Sequence, residues 1–390
     1  MIPTSKRLEG IGEYYFSQKL REIAQLNSEG KNIINMGIGS PDFPPHPDVI
    51  RTLAECAARP DTHAYQGYKG SPVLRKAFAE WYKKWYAVDL DPETEILPLI
   101  GSKEGIMHVC MTYLNEGDQA LAPNPGYPAY TAAIKLAGGT SIPYTLKEEN
   151  RWRPDFDELQ AAVNANTRVK LLFVNYPQMP TGQLPDRELF EQIIAFARKN
   201  NLLVCHDNPY SFILNDSPMS ILSVEGAKDT AIELNSLSKS HSMAGWRVGV
   251  LCASKQRVEE TLRFKSNMDS GMFLPVQIAA ATALGLGREW YDQVNGAYRQ
   301  RQKYAFALLD ELNCSYSKDQ AGMFVWARIP GHIKDGYALS DEVLYGANVF
   351  ITPGGIFGSA GDQYIRISLC SHEDNFREAI SRIQNHKSNK

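Results

Sequence analysis

The sequence predicts an α/β fold in which helices cover a mostly parallel β-sheet. Short apolar runs alternate with amphipathic helical patterns from about residue 46 to 285, which is the pattern of such a sheet. The length of 390 residues, with 43% hydrophobic residues, allows a large core and exceeds one ordinary domain. Further strand-like runs after about residue 312 predict a second, smaller unit.

The predicted elements follow one another in chain order. In the first unit, apolar runs of strand length occupy residues 96–100, 119–122, 169–175, 202–206, 231–235 and 247–253. Helical spacing of apolar residues predicts helices at 72–86 and 187–199 between some of these strands. A long polar helix over about 288–312 leads to the second unit, with strands at 323–329, 349–352 and 364–368 and a final helix at 373–386.

Composition favours small-molecule substrates over macromolecular partners. The net charge of -3, without a long basic run, gives no electrostatic basis for binding nucleic acid or a membrane surface. No apolar run reaches membrane-spanning length, and the polar amino terminus does not resemble a signal peptide, so we expect a cytoplasmic protein. Six scattered cysteines predict reduced thiols rather than disulfides, and the eight histidines show no metal-binding spacing.

The most informative segment places one lysine among hydroxyl groups. Lys239 follows the strand at 231–235, in a polar run that we predict to be a loop at the carboxyl edge of the sheet. A nearby cation such as Arg247 favours the neutral, nucleophilic form of a lysine amine. Ser236, Ser238 and Arg247 together offer charge-assisted hydrogen bonds to a phosphate. Taken alone, the segment is equally typical of a polar loop.

A second segment predicts a site for an anion. Ser102 and Lys103 follow Gly101 at the point where an apolar strand gives way to a helical run. The free backbone N–H groups of a helix amino terminus bind phosphate. An ordinary strand-to-helix loop explains the glycine spacing as well.

Three side chains at strand ends suit a flat, nitrogen-containing ring. Asp207 ends a buried strand, where a carboxylate needs a partner such as a protonated pyridine nitrogen. Tyr210 is placed to donate to a phenolate oxygen on the same ring, and Tyr127 lies in a proline-rich turn suited to stacking. A turn-initiating aspartate and a solvent-facing tyrosine remain open as alternatives.

An arginine in the second unit also needs an anion. Strand alternation places Arg366 and Ser368 on one face of the strand at 364–368. The guanidinium group would bind either a substrate carboxylate, in a bidentate manner, or an acidic side chain of the protein.

Together and in this order, these segments resemble the class I and II aminotransferases, fold-type I enzymes that use pyridoxal 5'-phosphate. The resemblance covers about residues 35–368 and centres on the pattern Ser-x-Ser-Lys followed by Gly-x-Arg, here residues 236–239 and 245–247. It implies a three-layer α/β/α large domain over residues 46–287. A smaller α/β domain would be built from both chain ends, residues 1–45 and 288–390.

The resemblance implies a transfer of amino groups between an L-amino acid and a 2-oxo acid. Lys239 would form the aldimine with the cofactor and act as the base, with Asp207 at the ring nitrogen, Tyr210 at the ring oxygen and Tyr127 on the ring face. The phosphate would be bound by Ser102 and Lys103, mainly through backbone groups, and by Ser236, Ser238 and Arg247. Gly39 would lie over the substrate and Arg366 would bind its α-carboxylate. Tyr65 matches a tyrosine that reaches the neighbouring subunit's phosphate, which implies a homodimer.

Two positions depart from the family pattern. Met179 stands where the family usually has an asparagine that bonds the ring oxygen and the substrate carboxylate, and methionine can do neither well. We expect Met179 to line a more apolar pocket, with Gln178 or Asn175 as possible replacements for the lost contact. Met268 and Asp269 align approximately with an arginine of dicarboxylate-selective relatives, so aspartate is not assured as a substrate.

Two other functions compete with this assignment. A β-lyase on the same scaffold would release pyruvate and ammonia without a 2-oxo acid acceptor, because fold does not determine reaction. A regulator that binds the cofactor would need a DNA-binding module, and neither the chain before Asn35 nor a basic patch provides one. The amino acid donor is not indicated, although an aromatic stretch at residues 14–16 is a candidate pocket wall or packing segment.

Overall fold

The computed structural model describes residues 2–388 as three β-sheets with surrounding helices. The strands are β1 (Ile34–Asn35), β2 (Ile96–Leu99), β3 (Gln119–Asn124), β4 (Thr140–Thr145), β5 (Val169–Asn175), β6 (Leu203–Asp207), β7 (Ala231–Ser236), β8 (Gly249–Cys252), β9 (Phe324–Arg328), β10 (Val349–Phe350), β11 (Thr352–Pro353) and β12 (Tyr364–Ser368).

The helices alternate with these strands through most of the chain. They are α1 (Tyr15–Ser28), α2 (Pro47–Ala57), α3 (Pro72–Tyr86), α4 (Ser102–Tyr113), α5 (Ala129–Leu136), α6 (Phe156–Ala165), α7 (Arg187–Lys199), α8 (Ala227–Thr230), α9 (Leu237–Ser240), α10 (Lys255–Lys265), α11 (Leu274–Leu284), α12 (Arg288–Glu311), α13 (Gly336–Ala347) and α14 (Glu373–Ser388). Within the described part of the chain, none of these helices is long and apolar enough to cross a bilayer.

The large sheet has seven strands in the order β2-β8-β7-β6-β5-β3-β4. Six of these strands run in one direction, and β8 runs antiparallel to both of its neighbours, β2 and β7. The carboxyl ends of the six parallel strands therefore meet at one edge, and β8 begins at that edge. Ligands of open α/β sheets bind there.

Helices cover both faces of the large sheet, which confirms the three-layer α/β/α prediction. Strand residues alternate between two apolar cores: Leu171 and Phe173 of β5 belong to one, and Leu172 and Val174 to the other. Helices α4, α5 and α10 contribute buried residues to the first core. Helices α3, α7 and α11 contribute to the second core, which accounts for the apolar stripe on α3 and on α7.

Two small sheets lie outside the large one. Strand β1 pairs in parallel with β10, so a segment near the amino terminus joins one more than 300 residues later, through Ile34 and Val349. The second small sheet has the order β11-β12-β9 and is antiparallel. A strand near the amino terminus thus pairs with a strand from the carboxyl-terminal part of the chain. The domain boundaries at residues 45 and 288 stay predictions.

Most predicted elements are confirmed within one or two residues, but three differ. The strand predicted at 247–253 begins at Gly249, because Arg247 adopts a left-handed conformation with φ of 58° after a short 3-10 turn. The loop predicted after residue 235 is instead the single helical turn α9, which the Ser236 side chain caps at the Ser238 N–H. The run at 349–352 is divided between two sheets as β10 and β11.

Candidate active site

A cavity of about 620 Å³ opens at the carboxyl edge of the large sheet. It is lined by thirteen of the fourteen residues predicted for the site: Gly39, Ser102, Lys103, Tyr127, Asn175, Met179, Asp207, Tyr210, Ser236, Ser238, Lys239, Arg247 and Arg366. The fourteenth, Tyr65, lies elsewhere on the surface and is 93% exposed. The structure therefore brings together segments that are far apart in the sequence.

Lys239 projects from α9, directly after the central strand β7. Its Nζ donates a hydrogen bond of 2.7 Å to the carbonyl oxygen of Gly39. Burial lowers the pKa of the Lys239 amine, and the positive charges of Arg366 and Arg247 act in the same direction, while Cys370 opposes them. The amine thus lies in an environment that favours its neutral, nucleophilic form.

One end of the cavity is suited to an anion. Gly101, with φ of 83°, turns the chain from β2 into α4, so the first backbone N–H groups of α4 are free to bind. A Cβ atom at Gly101 would collide with the guanidinium group of Arg247. The close approach of these two residues therefore requires glycine at position 101.

Arg247 and two serines complete the same end. Arg247 Nη1 donates to the Ala244 carbonyl at 2.9 Å and reaches Ser238 Oγ at 3.4 Å. Ser236 Oγ donates to Ser238 Oγ at 2.8 Å. These partners orient the cation and hydroxyls toward one point, which is the arrangement that holds a phosphate.

Asp207 lies at the end of β6, on the floor of the cavity. Its Oδ2 accepts a hydrogen bond of 2.9 Å from the hydroxyl of Tyr130, while Oδ1 has no partner among the described residues. Burial raises the pKa of the Asp207 carboxyl to about 6, although the Tyr130 hydrogen bond and the charge of His206 oppose the rise. A buried, unpaired carboxylate oxygen is costly unless a ligand donates to it.

Tyr127 and Tyr210 are the aromatic residues predicted for this site, and both line the cavity. Burial raises the pKa of each phenol, so both remain protonated near neutral pH and can donate. The ring of Tyr127 packs edge-on against Tyr130, and that of Tyr210 packs edge-on against Phe324. The rings are thereby held at the cavity wall.

Arg366 extends from β12 to the opposite wall. Its Nη2 donates to the Gly37 carbonyl at 3.0 Å, and its guanidinium carbon lies 3.7 Å from the ring centre of Phe324 and 4.6 Å from that of Phe357. Burial lowers the pKa of Arg366 to about 10. No carboxylate within residues 2–388 forms an ion pair with it, so the internal salt bridge considered above is not observed.

Met179 contacts this arginine directly. Arg366 Nη1 lies 3.4 Å from Met179 Sδ, and Arg366 Nε has no partner among the described groups. Gln178 does not replace the missing asparagine, because its amide bonds the Pro125 carbonyl of another turn and Thr181 of its own turn. Asn175 lines the cavity, but it bonds the Asp207 carbonyl and the Met179 N–H.

Sequence reasoning missed three contributors to this site. Tyr130, on α5, fixes Asp207, and its position three residues after Tyr127 was the only available signal. Phe324 and Phe357 flank Arg366 from β9 and a 3-10 turn. Apolar residues in strands are expected in cores, so nothing in the sequence distinguished them.

One cluster of metal-ligand type was also not predicted. Ligand atoms of Glu104, His108 and Asp269 lie within 4.8 Å of one another. The ammonium group of Lys265 is 2.6 Å from Asp269, so one carboxylate of this cluster is already paired with a cation.

The residues present fit pyridoxal 5'-phosphate. The anion-binding end suits its phosphate, the unpaired Asp207 Oδ1 suits its ring N–H, and the buried amine of Lys239 suits its aldehyde carbon. The fold and the site together define an enzyme dependent on this cofactor. The family model described as aminotransferase class I and II matches residues 31–383, and the chain belongs to this family.

Individual relatives agree with this assignment. The chain is 38% identical to an LL-diaminopimelate aminotransferase from Dehalococcoides mccartyi over 98% of its length and 99% of the relative's. It is 40% identical to one from Oleidesulfovibrio alaskensis, with 97% of each chain covered. The substrate-bound structure of BacF from Bacillus subtilis superposes with a TM-score of 0.94 at 35% identity, covering 99% of this chain and 98% of that one.

The reaction class is therefore transamination between an amino acid and a 2-oxo acid. These relatives give no support to the β-lyase considered from the sequence.

Proposed function

We propose that this aminotransferase takes its amino group from an L-amino acid with a large, mainly apolar side chain. The wall that faces Lys239 and Arg366 supports this proposal, because it is formed by residues of aromatic and aliphatic character: Tyr14, Phe16, Leu20, Ile38, Phe324 and Phe357. Burying an apolar side chain against such a wall stabilises binding by about 25 cal/mol per Å². The apolar contact at Met179 extends the same surface.

We assign the roles of the site residues from the family resemblance, and their common location in the cavity supports this assignment. Arg366 binds the α-carboxylate of the substrate, with Gly39 and Met179 beside it. Asp207 accepts the N–H of the cofactor ring, Tyr210 donates to the ring oxygen, Tyr127 lies on the ring face, and Asn175 lies at the ring edge. The phosphate is bound by Ser102 and Lys103, mainly through their backbone N–H groups, and by the side chains of Ser236, Ser238 and Arg247.

Lys239 moves the proton in this reaction. Bound pyridoxal 5'-phosphate supplies the electron sink for negative charge at the substrate α-carbon. The Nζ of Lys239, whose pKa is lowered by burial and by the two nearby arginines, takes the proton from that carbon. Asp207 remains a carboxylate opposite the ring nitrogen, and the aromatic wall excludes water from the proton transfer.

LL-Diaminopimelate is a second candidate donor. Two relatives with 38–40% identity carry this activity in their names. The ammonium group of Lys103 lies 5.5 Å from the ring centre of Tyr14 at the cavity wall, where it can pair with a second carboxylate. L-Phenylalanine would bind best to an apolar wall, whereas LL-diaminopimelate would need a cation such as Lys103 at the same wall.

A donor panel separates these substrates. Purified protein is supplied with 2-oxoglutarate and with L-phenylalanine, L-leucine, L-methionine, L-aspartate or LL-diaminopimelate, and glutamate formation is measured. We expect the highest kcat/KM for an apolar or aromatic donor, unchanged within a few-fold in Lys103→Gln. A preference for LL-diaminopimelate that falls at least about tenfold in Lys103→Gln would instead assign the second donor.

Three broader features belong to the same proposal. The enzyme is a homodimer in which Tyr65, exposed in one chain, reaches the phosphate end of the neighbouring site. Residues 46–287 form the cofactor-binding domain, and residues 1–45 with 288–390 form the smaller one. A cytoplasmic location is supported by six cysteines without disulfide bonds.

A further inference from the structure

Behind the cavity floor, two ionisable side chains lie face to face in the middle of the large sheet. His206 of β6 and Glu233 of β7 are directly opposed in the parallel register, and both have 0% relative exposure. His206 Nδ1 is 2.9 Å from Glu233 Oε2. No step of the transamination described above uses this pair, although His206 immediately precedes Asp207 in the same strand.

The hydrogen bonds of His206 determine how many protons its ring carries. Its Nε2 lies 2.9 Å from the carbonyl oxygen of Tyr176, which can only accept, so Nε2 must bear a proton. Its Nδ1 faces the Glu233 carboxyl group, so the second proton is either on Nδ1 or on Glu233 Oε2. The partners of Glu233 decide between these two states.

Glu233 is surrounded by donors. Its Oε2 accepts the backbone N–H of Ile221 at 3.0 Å and the hydroxyl of Ser220 at 2.8 Å, and the latter hydroxyl is itself oriented by the Leu222 N–H. Its Oε1 accepts the hydroxyl of Tyr82 at 2.8 Å. A carboxyl group with this many donors is stabilised as the carboxylate, which leaves the proton on His206 Nδ1.

We propose that His206 is an imidazolium ion, held by Glu233, that keeps the adjacent Asp207 in its carboxylate form. Successive strand residues point to opposite sheet faces, so His206 acts through the sheet while Asp207 faces the cavity. The charge of His206 is among the influences that oppose the burial-driven rise in the pKa of Asp207. His206 is a positioning residue in this scheme, because it does not touch the substrate.

Lys239, Arg247 and Arg366 are basic residues that line the cavity together with Asp207. The remaining ionisable groups around the pair and around Asp207 are neutral near pH 7. These neutral groups are the phenols and thiols of Tyr82, Tyr86, Cys252, Tyr127, Tyr130, Tyr210 and Cys205. Burial raises the pKa of each above its usual value. Within the strands of the sheet, His206 is the group whose positive charge acts on Asp207. Removing that charge therefore destabilises the Asp207 carboxylate without removing any of its direct contacts.

The consequence for catalysis rests on the proposed role of Asp207 at the cofactor ring nitrogen. A carboxylate keeps that nitrogen protonated, whereas a neutral carboxylic acid does not. The buried pair thus maintains the ring in its protonated form at pH values where an isolated buried aspartate would take up a proton.

The first test measures the protonation of His206 in the unmodified protein. ¹⁵N NMR of the full chain, labelled at histidine and loaded with cofactor, reports whether both ring nitrogens carry protons. We expect both to remain protonated at pH 8, where an ordinary histidine, with a pKa of about 6.5, is neutral. A neutral ring at His206 under these conditions would overturn the proposal without any variant.

The second test measures Asp207 itself in the cofactor-free full chain. With ¹³C-labelled aspartate, the titration midpoint of Asp207 is expected to rise by about one pH unit in Glu233→Gln and in His206→Gln. Tyr82→Phe is the matched control, because it removes one donor to Glu233 and no charge. An unchanged midpoint in folded Glu233→Gln and His206→Gln would contradict the coupling.

These measurements separate the inference from the proposed function. If the donor panel failed, the cofactor-free titration would still decide whether His206 influences Asp207. If His206 proved charged but the midpoint stayed fixed, the pair would be structural and the proposed roles of Lys239 and Asp207 would stand unaffected.

Discussion

The amino group of Lys239 donates a 2.7 Å hydrogen bond to the carbonyl oxygen of Gly39, a residue 200 positions earlier in the chain. This bond joins the reactive lysine of the large sheet to the segment near the amino terminus. A carbonyl oxygen accepts from either the neutral or the charged amine, so the contact holds Lys239 in place without fixing its charge. If Lys239 bonded another group instead, its hydrogen bond to the Gly39 carbonyl would be lost.

Replacement of Lys239 by alanine tests its catalytic role. We expect Lys239→Ala to bind pyridoxal 5'-phosphate but to lose transamination by about 10²–10⁴-fold or more, because the general base is removed. The cofactor absorption band and glutamate formation are measured together. Lys103→Ala removes another cation from the same cavity and should have a much smaller effect. Near-normal turnover in Lys239→Ala would contradict the assignment.

The close approach of Gly101 and Arg247 gives a second prediction. An alanine at position 101 would displace the Arg247 guanidinium and strain a backbone with φ of 83°. Because hydrogen bonds to charged groups contribute about 1.5–3 kcal/mol, we expect the cofactor Kd to rise about tenfold or more. Gly245→Ala is the control, since a Cβ there meets nothing within 4 Å. Equal cofactor binding by both variants would argue against an anion site beside Gly101.

Met179 offers a test of the departure from the family pattern. Met179→Asn replaces the sulfur next to Arg366 with an amide that can bond the substrate carboxylate or the ring oxygen. We expect donor preference to move away from apolar side chains and the pH midpoint of the cofactor absorption band to shift. Steady-state kinetics with the donor panel and a spectroscopic titration measure both. If neither quantity changes, Met179 does not shape the pocket.

Burial of Asp207 predicts a pH dependence of stability in the cofactor-free protein. The folded-state pKa of about 6 exceeds the unfolded value of about 3.8, so the folded state binds the proton more tightly. This group therefore stabilises the fold below about pH 4 relative to higher pH, and that contribution is lost as the pH rises to about 6. The expected change is about 2–3 kcal/mol.

Urea unfolding between pH 4 and 7 measures this contribution. The free energy of unfolding of the unmodified protein should fall relative to that of Asp207→Asn over this interval, because asparagine does not titrate. Parallel pH profiles for the two proteins would exclude a raised pKa at Asp207.

Tyr65 tests the shared active site. Hybrid dimers are formed by refolding Lys239→Ala chains together with Tyr65→Phe chains, each of which is impaired alone. If Tyr65 serves the neighbouring site, each hybrid contains one site with both defects and one intact site, so activity should recover. Tyr68→Phe, at another exposed tyrosine nearby in sequence, is the control. Absence of recovery in verified hybrid dimers would place Tyr65 outside the active site.

The sequence predicted the sheet and most of the cavity because both depend on local patterns. Strand β12 and helices α3 and α7 were predicted at their observed bounds, since apolar periodicity and capping residues define them. Asp207 was identifiable because it ends a buried strand, and Lys239 because it lies in the polar run that follows one. The segments of the large sheet that meet at the cavity are brought together by parallel pairing, which sends successive strand ends to one edge.

The features that were not predicted depend on contacts between distant residues. Arg247 has a left-handed backbone, and its guanidinium group bonds the carbonyl oxygens of Ala244 and of Ile100, which lies 147 positions away. Tyr130 meets Asp207 across 77 positions. The division of residues 349–353 between two sheets depends on β1 and β12, and no local pattern specifies it.

The pairing of β1 with β10 has a consequence for protein synthesis. The segment around Gly37 leaves the ribosome early, yet its partner Thr352 follows 315 residues later and Ser368 bonds Ile38 across 330 residues. Because chains fold from the amino terminus as they emerge, the large sheet and its lysine can assemble while this segment still has no partner. A nascent chain therefore completes its substrate pocket only near the end of translation. A truncated product would expose Lys239 without the wall that selects the substrate.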